Sequence, residues 1–503
     1  MARRQVRLSP EARETLSKVF AAAHQPVWLV GGSIRDAARG RPFHDLDLAC
    51  ADAHALAIRL ARAFKGTLVT LDEANAVYRL ALAPARGGVL RQIDVAGLQG
   101  KTIVSDLARR DFTMNAVALA LADELPASLP ESAFLDPRGG LKDLASGVIR
   151  ADVEENLSDD PLRLLRAFRL AAQLGLVIEP KTLKAIGRLR RLISRPAPER
   201  VAAELLLLLA VPGASSWLKQ MDECGLLTGV FPELEPSRRC AEGYYGPGGV
   251  LTHTLEVCAR VDFLLANLRT IYPKLAPDLE AHACARGGPP FHALLLLSAL
   301  LHDVAKPATA KEIGGRLRFF EHDTKGATLT EKILRRLRLS REQIDSAAAI
   351  VRYHLRPGHL ASGGPLTERA IYRFFRDLGP DAPGLLIVCW GDHASYMPQT
   401  RLKRLLETAC GEAPRADLSR IRPLEARKTV SHLQLVSLLL RRCFSRDRAP
   451  IPVRLLDGNE IMKALKIPPS PRIGEILECL REAQAAGEVL DRKQALAFIS
   501  RLK

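Results

Sequence analysis

Apolar and polar positions follow two different periods along this chain of 503 residues. In roughly the first 145 residues, short stretches alternate between apolar and polar side chains, which is typical of strands with one buried face. Stretches with a 3.6-residue period, typical of helices, separate them. The predicted strands span residues 27–30, 44–50, 66–71, 77–83 and 90–96, and the predicted helices span about 10–23, 33–40 and 53–64. The pattern therefore predicts a mixed α/β unit.

From about Pro161 onward the period is helical and continues to the C-terminus. Glycine, proline and charged residues interrupt it at 235–250 and at 410–423, where we expect joints between helical parts. The sequence thus predicts an α+β fold, in which an α/β head with a small mixed sheet is followed by all-helical domains. The predicted domains span residues 1–150, 151–238, 239–405 and 406–503.

The charge balance indicates a polyanionic partner. Lys and Arg number 73 against 56 Asp and Glu, which leaves a net charge of +17, and 47% of the residues are apolar, which excludes general disorder. A basic surface attracts nucleic acid or an anionic membrane, because each cation can neutralise a phosphate. The alternative explanation of the positive charge is that the proteins of the source organism are basic in general. No apolar run approaches the roughly 18 residues of a membrane span, so we favour nucleic acid and expect no membrane contact.

Cysteine usage and the N-terminus indicate a reducing compartment. The nine cysteines include no Cys-x-x-Cys pair, which argues against a zinc ribbon or a disulfide framework. The N-terminal segment lacks the apolar core of a signal peptide. We therefore predict a cytoplasmic protein. Cys258 and Cys389 occupy apolar helical positions and are predicted to be buried.

Two aspartates on one predicted strand are candidate metal ligands. Asp45 and Asp47 lie two residues apart, so both carboxylates leave the same face of the strand. Adjacent carboxylates on an apolar strand are costly unless a cation binds between them, and hard Mg²⁺ favours carboxylate oxygens. Asp94, on another short strand, is a candidate third carboxylate. A solvated strand edge is the commoner explanation of an isolated Asp-x-Asp.

A glycine turn precedes these aspartates. Gly31 and Gly32 lie between a strand and a helix, where backbone amides and the helix N-terminus can approach a phosphate. Arg35, in the first turns of that helix, adds a charged donor. An isolated glycine pair is more often only a turn. Together with the aspartates, it describes a nucleotidyl-transfer site in which metal ions activate a hydroxyl and steady an α-phosphate.

Four blocks in one order resemble the class II tRNA nucleotidyltransferases and bacterial poly(A) polymerases of the polymerase β superfamily. They are WLVGGSIRDAARGRPFHDLDLA, LARRDFTMNAVAL, DPRGGLKDLASGVIR and DDPLRLLRAFRLAAQLGLVIEP, and the helix PERVAAELLLLL follows them. The resemblance extends over about residues 26–210. It implies that Gly32 and Arg35 contact the nucleotide and that Asp45 and Asp47 hold two Mg²⁺.

The same resemblance implies two further groups of nucleotide-binding residues. Those that would position ribose and phosphates are Arg110, Asp111 and Asn115. Those on the following helix, at every third position, are Asp160, Arg163, Arg166 and Arg169. In the family, an aspartate and an arginine there select C or A by imitating a base-pairing partner, while the other arginines meet the triphosphate. Asp160 is also an ideal N-cap before Pro161, and both roles are compatible.

A second set of residues resembles the HD phosphohydrolases over about residues 250–395. His302 and Asp303 end a strongly apolar helix, where they could simply be capping groups. The segments HTLEV, LLHDVAKP, FFEHDTKGA, VRYHLRP and WGDHAS follow the HD spacing. The implied ligands are His253, His302, Asp303, His322, His354 and Asp392. Such ligands suit Mn²⁺, Fe²⁺, Ni²⁺ or Zn²⁺ and would activate water against a phosphoester. The alternative is a helical domain that kept the fold and only positions RNA.

These resemblances imply a Mg²⁺-dependent enzyme that adds or repairs the 3′-terminal CCA of tRNA, or part of it, from CTP and ATP without a nucleic-acid template. The four predicted domains become a nucleotidyltransferase head, a neck for base and RNA binding, an HD domain and a tRNA-binding tail. No protein partner is indicated. A poly(A) polymerase, a CC-only or A-only enzyme, and an HD phosphohydrolase acting on cyclic phosphates or nucleotides are the alternatives. The choice among partial activities would depend on a mobile segment between Leu71 and Asp106.

Overall fold

The computed structural model describes residues 5–83, 90–362, 366–411, 418–445 and 450–502. The chain divides into two compact units, Met1–Pro196 and Ala197–Lys503. The finer predicted boundaries at residues 150, 238 and 405 stay predictions. No described helix is both long enough and apolar enough to cross a membrane.

The first unit combines a six-stranded sheet with short helices. Its strands are β1 (Gln5–Arg7), β2 (Val27–Val30), β3 (Asp45–Cys50), β4 (Thr67–Asp72), β5 (Val77–Ala81), β6 (Gln92–Gly97), β7 (Ala118–Ala120), β8 (Ser128–Pro130), β9 (Val148–Ile149) and β10 (Val177–Ile178). Its helices are α1 (Pro10–Ala21), α2 (Gly31–Ala38), α3 (Ala53–Phe64), α4 (Ile103–Ala108), α5 (Gly140–Ala145), α6 (Glu154–Asp159), α7 (Leu162–Leu174) and α8 (Pro180–Leu189). The five predicted strands are confirmed as β2 to β6.

The large sheet is mixed, as predicted, and places β3 in its interior. The strand order is β4-β5-β6-β3-β2-β7. β3 pairs in parallel with β6 and antiparallel with β2. Leu46 and Leu48 on β3 point into the apolar core, with 0% and 1% exposure, so the alternate residues Asp45 and Asp47 leave the opposite face. The sheet thus holds the two carboxylates on one rigid surface.

The second unit is almost entirely helical. Its helices up to the HD region are α9 (Pro198–Leu209), α10 (Ala214–Glu223), α11 (Leu226–Val230), α12 (Glu242–Tyr245), α13 (Gly249–Ala266), α14 (Leu268–Ile271), α15 (Ala276–Ala285), α16 (Pro289–Leu301) and α17 (Lys306–Thr309). Its later helices are α18 (His322–Arg336), α19 (Arg341–Tyr353), α20 (Arg356–Ser362), α21 (Glu368–Leu378), α22 (Ala382–Ser395), α23 (Gln399–Cys410), α24 (Leu424–Cys443), α25 (Gly458–Leu465), α26 (Pro471–Ala485) and α27 (Arg492–Ser500). Cys258 and Cys389 are buried, as predicted.

One segment of the second unit contradicts the prediction of continuous helix. β11 (Ala310–Ile313) and β12 (Arg316–Phe319) form an antiparallel hairpin. Gly314 and Gly315 connect them with φ of +59° and +69°, the left-handed backbone that a two-residue hairpin turn requires. A Gly-Gly pair between two short alternating segments is a hairpin signal that the helical interpretation overlooked.

The C-terminal helices α25, α26 and α27 enclose an apolar core of their own. Its fully buried members include Ile461, Leu480 and Ile499. α26 packs against α21. The ion pairs Arg373–Glu482 and Arg376–Glu478 join the two helices, and Arg369 pairs with Glu488 just after α26. These three helices therefore form a module with its own apolar core, and charged side chains connect it to α21.

Candidate active site and metal centre

The glycine turn lies directly against the aspartate strand. α2 begins at Gly31, immediately after β2, and Gly31 has φ of +61°. The backbone amide of Gly32 donates a hydrogen bond to Oδ2 of Asp47 over 2.9 Å. A Cβ on Gly32 would lie 3.0 Å from that oxygen, so the close approach depends on glycine. The turn and the carboxylate that the sequence analysis combined are therefore in contact.

Ser33 fixes the register between α2 and β3. Its buried hydroxyl donates to the backbone oxygen of Asp45 over 3.3 Å and accepts from the backbone amide of Asp47 over 2.7 Å. One side chain thus contacts the strand on both sides of Leu46 and holds both carboxylates at a set distance from the start of α2. The sequence analysis missed Ser33, because a serine after two glycines carries little signal by itself.

The electrostatics of the aspartate pair favour a bound cation. Burial raises the pKa of Asp45 and of Asp47, and the negative charge of Asp94 raises both further. For Asp47, Arg110 and the hydrogen bond from Gly32 act in the opposite direction. The ionised forms of these two carboxylates are thus disfavoured, and a divalent cation bound between them would stabilise both. The pair therefore fits the predicted Mg²⁺.

Asp94 lies where predicted but has a partner that the sequence analysis did not find. In the parallel pairing of β3 and β6, Asp94 lies opposite Asp47. Its Oδ1 and Oδ2 accept hydrogen bonds from Nε and Nη2 of Arg79, both over 2.8 Å. Arg79 is on β5, opposite Asp94. Only the strand register brings the two together, so no local motif could have indicated the pair.

A chain of polar side chains connects four of the residues that the resemblance implicated. Nη1 of Arg35 donates to Oδ1 of Asn115 over 3.3 Å, and Nδ2 of Asn115 donates to Oδ1 of Asp111 over 3.0 Å. Nη1 of Arg166 lies 3.5 Å from Oδ2 of Asp111. Burial would raise the pKa of Asp111, but Arg166 and the Asn115 hydrogen bond outweigh it and lower the pKa. Asp111 therefore stays ionised and orients the amide and the guanidinium.

Arg110 lies between α4 and the glycine turn. Its guanidinium pairs with Asp106 over 2.9 Å. A Cβ built on Gly31 would lie 3.2 Å from Nη1 of Arg110. The structure therefore brings this predicted nucleotide-binding arginine to the turn that faces Asp47.

The other predicted arginines have different neighbours. Nη1 of Arg163 donates to the backbone oxygens of Arg109 and Asn156, each over 2.9 Å, so its observed contacts join α7 to the segments before it. Nη1 of Arg169 donates to Oε1 of Gln173 over 2.7 Å on the exposed side of α7. Both arginines lie on the predicted helix α7.

Asp160 does not lie on that helix. α6 ends at Asp159 and α7 begins at Leu162, so Asp160 lies between them with φ of −128°. Its Oδ1 accepts a hydrogen bond from the backbone amide of Leu162 over 3.3 Å. The prediction that Asp160 lies on the helix is therefore wrong, while its contact with the start of α7 agrees with the capping role.

The six predicted HD residues meet where helices of the second unit begin, end or pass. They are His253 in α13, His302 and Asp303 after α16, His322 at the start of α18, His354 after α19, and Asp392 in α22. For His302, His322 and His354, Nδ1 lies 2.7, 2.6 and 2.7 Å from the carbonyl oxygen three residues earlier. Since a carbonyl oxygen only accepts, Nδ1 carries the proton and Nε2 keeps the lone pair that a metal needs.

These Nε2 atoms converge on Asp303. Nε2 of His322 and Nε2 of His354 are only 3.3 Å apart, and two lone pairs at that distance repel each other unless a cation lies between them. Oδ1 of Asp303 lies 3.4 Å from His322 and 3.7 Å from His354, and Oδ2 lies 3.2 Å from His302 and 3.6 Å from His253. The possible ligand groups are Asp303–His322–His354 and His253–His302–Asp392, each with ligand atoms within 4.8 Å of one another. Asp303 lies close to residues of both groups, so these six residues together would hold a metal and supply its activation of water.

Four buried atoms of this cluster have no hydrogen-bond partner among the described residues. They are Nε2 of His253, Nε2 of His302, Oδ1 of Asp303 and Oδ1 of Asp392. An unsatisfied buried polar atom costs about 1–3 kcal/mol, so four such atoms in one place fit a set of groups that binds a cation. Imidazole nitrogens and carboxylate oxygens fit the predicted transition-metal ions.

Two residues beside the cluster were missed by the sequence analysis. The ammonium of Lys306 contacts Oδ2 of Asp303 and donates to the hydroxyl of Tyr245 over 2.8 Å. The ring of Tyr245 stacks on His253, with 4.6 Å between ring centroids. Burial would raise the pKa of Asp303, but His302 and Lys306 outweigh it and hold the pKa well below its ordinary value. The lysine three residues after the His-Asp pair was the available signal.

Comparisons with known proteins match both parts of the chain that carry these sites. Residues 27–150 match the family described as "Poly A polymerase head domain", residues 175–237 match "Probable RNA and SrmB- binding site of polymerase A", and residues 250–408 match "HD domain". The chain is 32% identical to the A-adding tRNA nucleotidyltransferase of Deinococcus radiodurans, over 94% of each protein. The chain belongs to the tRNA nucleotidyltransferase family. The predicted family and enzyme class are confirmed.

Two further members of this nucleotidyltransferase group cover nearly the whole chain. The CC-adding tRNA nucleotidyltransferase of Thermus thermophilus is 31% identical, over 93% of this chain and 92% of that protein. The solved structure of the Thermotoga maritima CCA-adding enzyme complexed with tRNA aligns with a TM-score of 0.62 and 20% identity, over 99% of this chain and 97% of that one. The structural likeness confirms the predicted fold. Membership of this nucleotidyltransferase family implies dependence on a divalent metal.

Proposed function

We propose that this protein transfers nucleotides from CTP or ATP to the 3′ end of tRNA. The observation that carries the proposal is the contact between the Gly32 amide and Asp47, which holds a two-carboxylate strand against the N-terminus of a helix. That arrangement offers metal-binding oxygens and phosphate-binding amides side by side. Divalent ions bound there, which we propose to be Mg²⁺, supply activation of the 3′-hydroxyl and neutralisation of the triphosphate.

The residues around the turn have separate roles in this proposal. Asp45 and Asp47 hold the metal ions. Arg110, beside the turn, binds the triphosphate. The linked side chains of Asn115 and Arg166, oriented by Asp111, position the ribose and base. Contacts among these groups hold them in one arrangement, which favours a nucleotide bound in a single orientation.

We further propose that the chain makes one part of the CCA terminus. Four relatives match over more than nine-tenths of it, and they are an A-adding enzyme and three CC-adding enzymes. The test incubates purified protein with three tRNAs, ending before the first C, after CC and after CCA, with CTP and ATP separately and together. We expect either CC on the first tRNA or A on the second. Synthesis of complete CCA on the first tRNA would disprove the partial activity, and a long A tail on the third would indicate a poly(A) polymerase.

A variant that differs from the parent by one charge tests whether a contaminating enzyme causes the incorporation. Asp47→Asn keeps the size of the side chain and the acceptor for the Gly32 amide but removes the charge. Incorporation should disappear, while binding of tRNA, measured by gel shift, should be retained. Full incorporation by this variant would show that the proposed head site is not responsible.

The HD cluster supports a second candidate function, a metal-dependent phosphohydrolase. The observation in its favour is the 3.3 Å separation of the Nε2 atoms of His322 and His354, which a Mn²⁺, Ni²⁺, Fe²⁺ or Zn²⁺ ion would stabilise. Hydrolysis of a 2′,3′-cyclic nucleotide is measured with each ion added. His302→Ala should lose the activity, and substitution of the exposed His359 should not. Equal activity in both variants would exclude this site.

A further inference from the structure

A row of three charged side chains crosses the sheet beside the proposed metal site. β6 lies between β3 and β5. Asp94 on β6 lies opposite Asp47 on one side and opposite Arg79 on the other. Directly opposed residues of neighbouring strands leave the same face of a sheet, so all three side chains are on the face that carries Asp45.

The contact between Arg79 and Asp94 occupies both carboxylate oxygens. Nε donates to Oδ1 and Nη2 donates to Oδ2, each over 2.8 Å, which is the two-pronged geometry of a strong arginine–carboxylate pair. The pair is only part-buried, with 37% of the Arg79 side chain and 22% of the Asp94 side chain exposed. The geometry therefore indicates a specific, oriented pair rather than a loose surface contact.

The proposed metal carboxylates are arranged differently. Oδ2 of Asp47 accepts from a neutral backbone amide, and no side-chain cation is hydrogen-bonded to it among the described contacts. Within the described residues, the sets of three ligand side chains that converge to within 4.8 Å are those of the HD cluster, and Asp94 belongs to neither. Asp94 thus lies near the metal pair but is directed to an arginine.

The charge of the row explains why such a pair would be useful. Asp45, Asp47 and Asp94 together carry three negative charges. The positive charge of Arg79 reduces the net charge to two negative charges. Without the arginine, Asp94 could bind a cation in competition with the pair on β3, because cation affinity rises with the number of carboxylate ligands. Without Asp94, the guanidinium would be drawn to Asp45 or Asp47 and would compete with the metal itself.

We propose that Asp94 and Arg79 form a positioning pair for the nucleotidyl-transfer site, in which each residue keeps the other from the metal carboxylates. Asp94 is then not a third metal ligand but the counterion of Arg79. The pair confines the divalent cation to Asp45 and Asp47. This inference rests on the proposed nucleotidyl-transfer function, and its test includes metal binding, which can be measured whether or not nucleotides are transferred.

The test is a double-mutant cycle with Arg79→Met, Asp94→Asn and the double variant in the full-length protein. Mn²⁺ binding is measured by titration calorimetry in the absence of nucleotide. The head contribution is the part that is lost in Asp45→Asn/Asp47→Asn, which separates it from the HD cluster. Incorporation of CTP and ATP and the thermal midpoint of the metal-free protein are measured for each variant.

We expect the two single variants to move Mn²⁺ affinity in opposite directions. Arg79→Met should bind Mn²⁺ about tenfold more tightly and Asp94→Asn about tenfold more weakly, and both should incorporate nucleotides more slowly. The double variant should return to within about threefold of the parent in both measurements, since neither charge is left unpaired. Arg79→Lys, which cannot pair in the two-pronged way, should lie between the parent and Arg79→Met.

Two results would overturn the proposal. If Asp94 is a metal ligand, the double variant will remain as defective as Asp94→Asn. If the pair only stabilises the sheet, both single variants will lower the thermal midpoint without opposite changes in Mn²⁺ affinity. If Arg79→Met does not fold, the comparison of Asp94→Asn with the double variant still decides between the two roles. A protein that binds Mn²⁺ as expected but transfers no nucleotide would contradict the proposed function and not the pair.

Discussion

The backbone amide of Gly32 donates a hydrogen bond to Oδ2 of Asp47, over 2.9 Å. This contact joins the first turn of α2 to an interior strand of the sheet, so the phosphate-binding end of a helix and a metal-binding carboxylate have one fixed separation. The amide also favours the ionised carboxylate, against the burial and the neighbouring Asp94 that raise the Asp47 pKa. This hydrogen bond therefore fixes the orientation of the proposed ligand oxygen.

Substitution of Gly31 by alanine should impair the site more than the fold. Gly31 and Gly40 have similar left-handed φ values, +61° and +69°, so alanine at either position should cost about 1 kcal/mol of unfolding free energy. A Cβ at Gly31 would meet Arg110 at 3.2 Å and Asp47 at 3.3 Å, whereas a Cβ at Gly40 meets no atom within 4 Å. Urea unfolding and nucleotide incorporation distinguish the two effects. Equal incorporation by Gly31→Ala and Gly40→Ala would contradict the role assigned to the turn.

Ser33→Ala should lower incorporation by loosening β3 from α2. The variant leaves the Asp45 carbonyl and the Asp47 amide without their partner, which costs about 1–3 kcal/mol of unfolding free energy. The matched control is Ser298→Ala, which removes a buried hydroxyl that donates to the carbonyl of Leu294 over 2.8 Å, outside the nucleotidyl-transfer site. A fall in kcat with Ser33→Ala only, at comparable losses of stability, is the expected result. Equal kcat values would mean that Ser33 has no part in positioning the carboxylates.

Asp303→Asn should strongly destabilise the second unit. The substitution leaves the buried ammonium of Lys306 without its counterion, and breaking a buried ion pair in this way costs about 3–5 kcal/mol. Lys306→Met in the same chain should recover part of that loss, because it removes the unpaired charge. Chemical denaturation followed by near-ultraviolet circular dichroism measures both variants. If the double variant is no more stable than Asp303→Asn, the lysine is not paired with this carboxylate in solution.

The stacked histidines His393 and His432 predict a stability change in mild acid. Their rings are 4.1 Å apart, and burial, followed by the charge of His393, lowers the pKa of His432 from 6.5 to about 4. The folded protein therefore takes up this proton less readily than the unfolded chain. The free energy of unfolding therefore has its full value above pH 6.5 and decreases as the pH falls from 6.5 towards 4.

His432→Phe keeps an aromatic ring in the stack and removes the titration. The thermal midpoint of the parent should fall more steeply than that of His432→Phe over this pH interval. His359→Phe, a change at an exposed histidine, should retain the steepness of the parent. The same slope in parent and His432→Phe would contradict the assignment.

The charged contact between α21 and α26 predicts that salt loosens the tail. Arg373 pairs with Glu482 over 2.6 Å and Arg369 with Glu488 over 2.7 Å, and such part-exposed pairs are screened by ions. Reversing the arginines to glutamate should increase the radius of gyration and speed protease cleavage before α25, while the tail keeps its own core. Reversing the glutamates to lysine in the same chain should restore both values. An unchanged radius in the first variant would show that apolar contacts alone hold the tail.

Local patterns predicted the elements on which each site depends, and tertiary register decided the rest. β3, the glycine turn and the His-Asp helix end were predictable because period and spacing act within a few residues. Asp94 was predicted as a carboxylate near Asp47, but its pairing with Arg79 depends on how three strands align. The β11–β12 hairpin was mistaken for helix because apolar residues at short spacing occur in both helices and strands. The pair Gly314–Gly315 was the signal that could have distinguished a hairpin from a helix.

The interior position of β3 has a consequence for how this enzyme can open and close. An interior strand is hydrogen-bonded to a neighbouring strand on each side, so its backbone amides exchange with solvent only when the whole sheet opens. The edge strand β4 is mostly exposed and can open alone. We therefore expect the carboxylates to stand on a slowly exchanging part of the head. The rim of the sheet can fluctuate without disturbing the site at its centre.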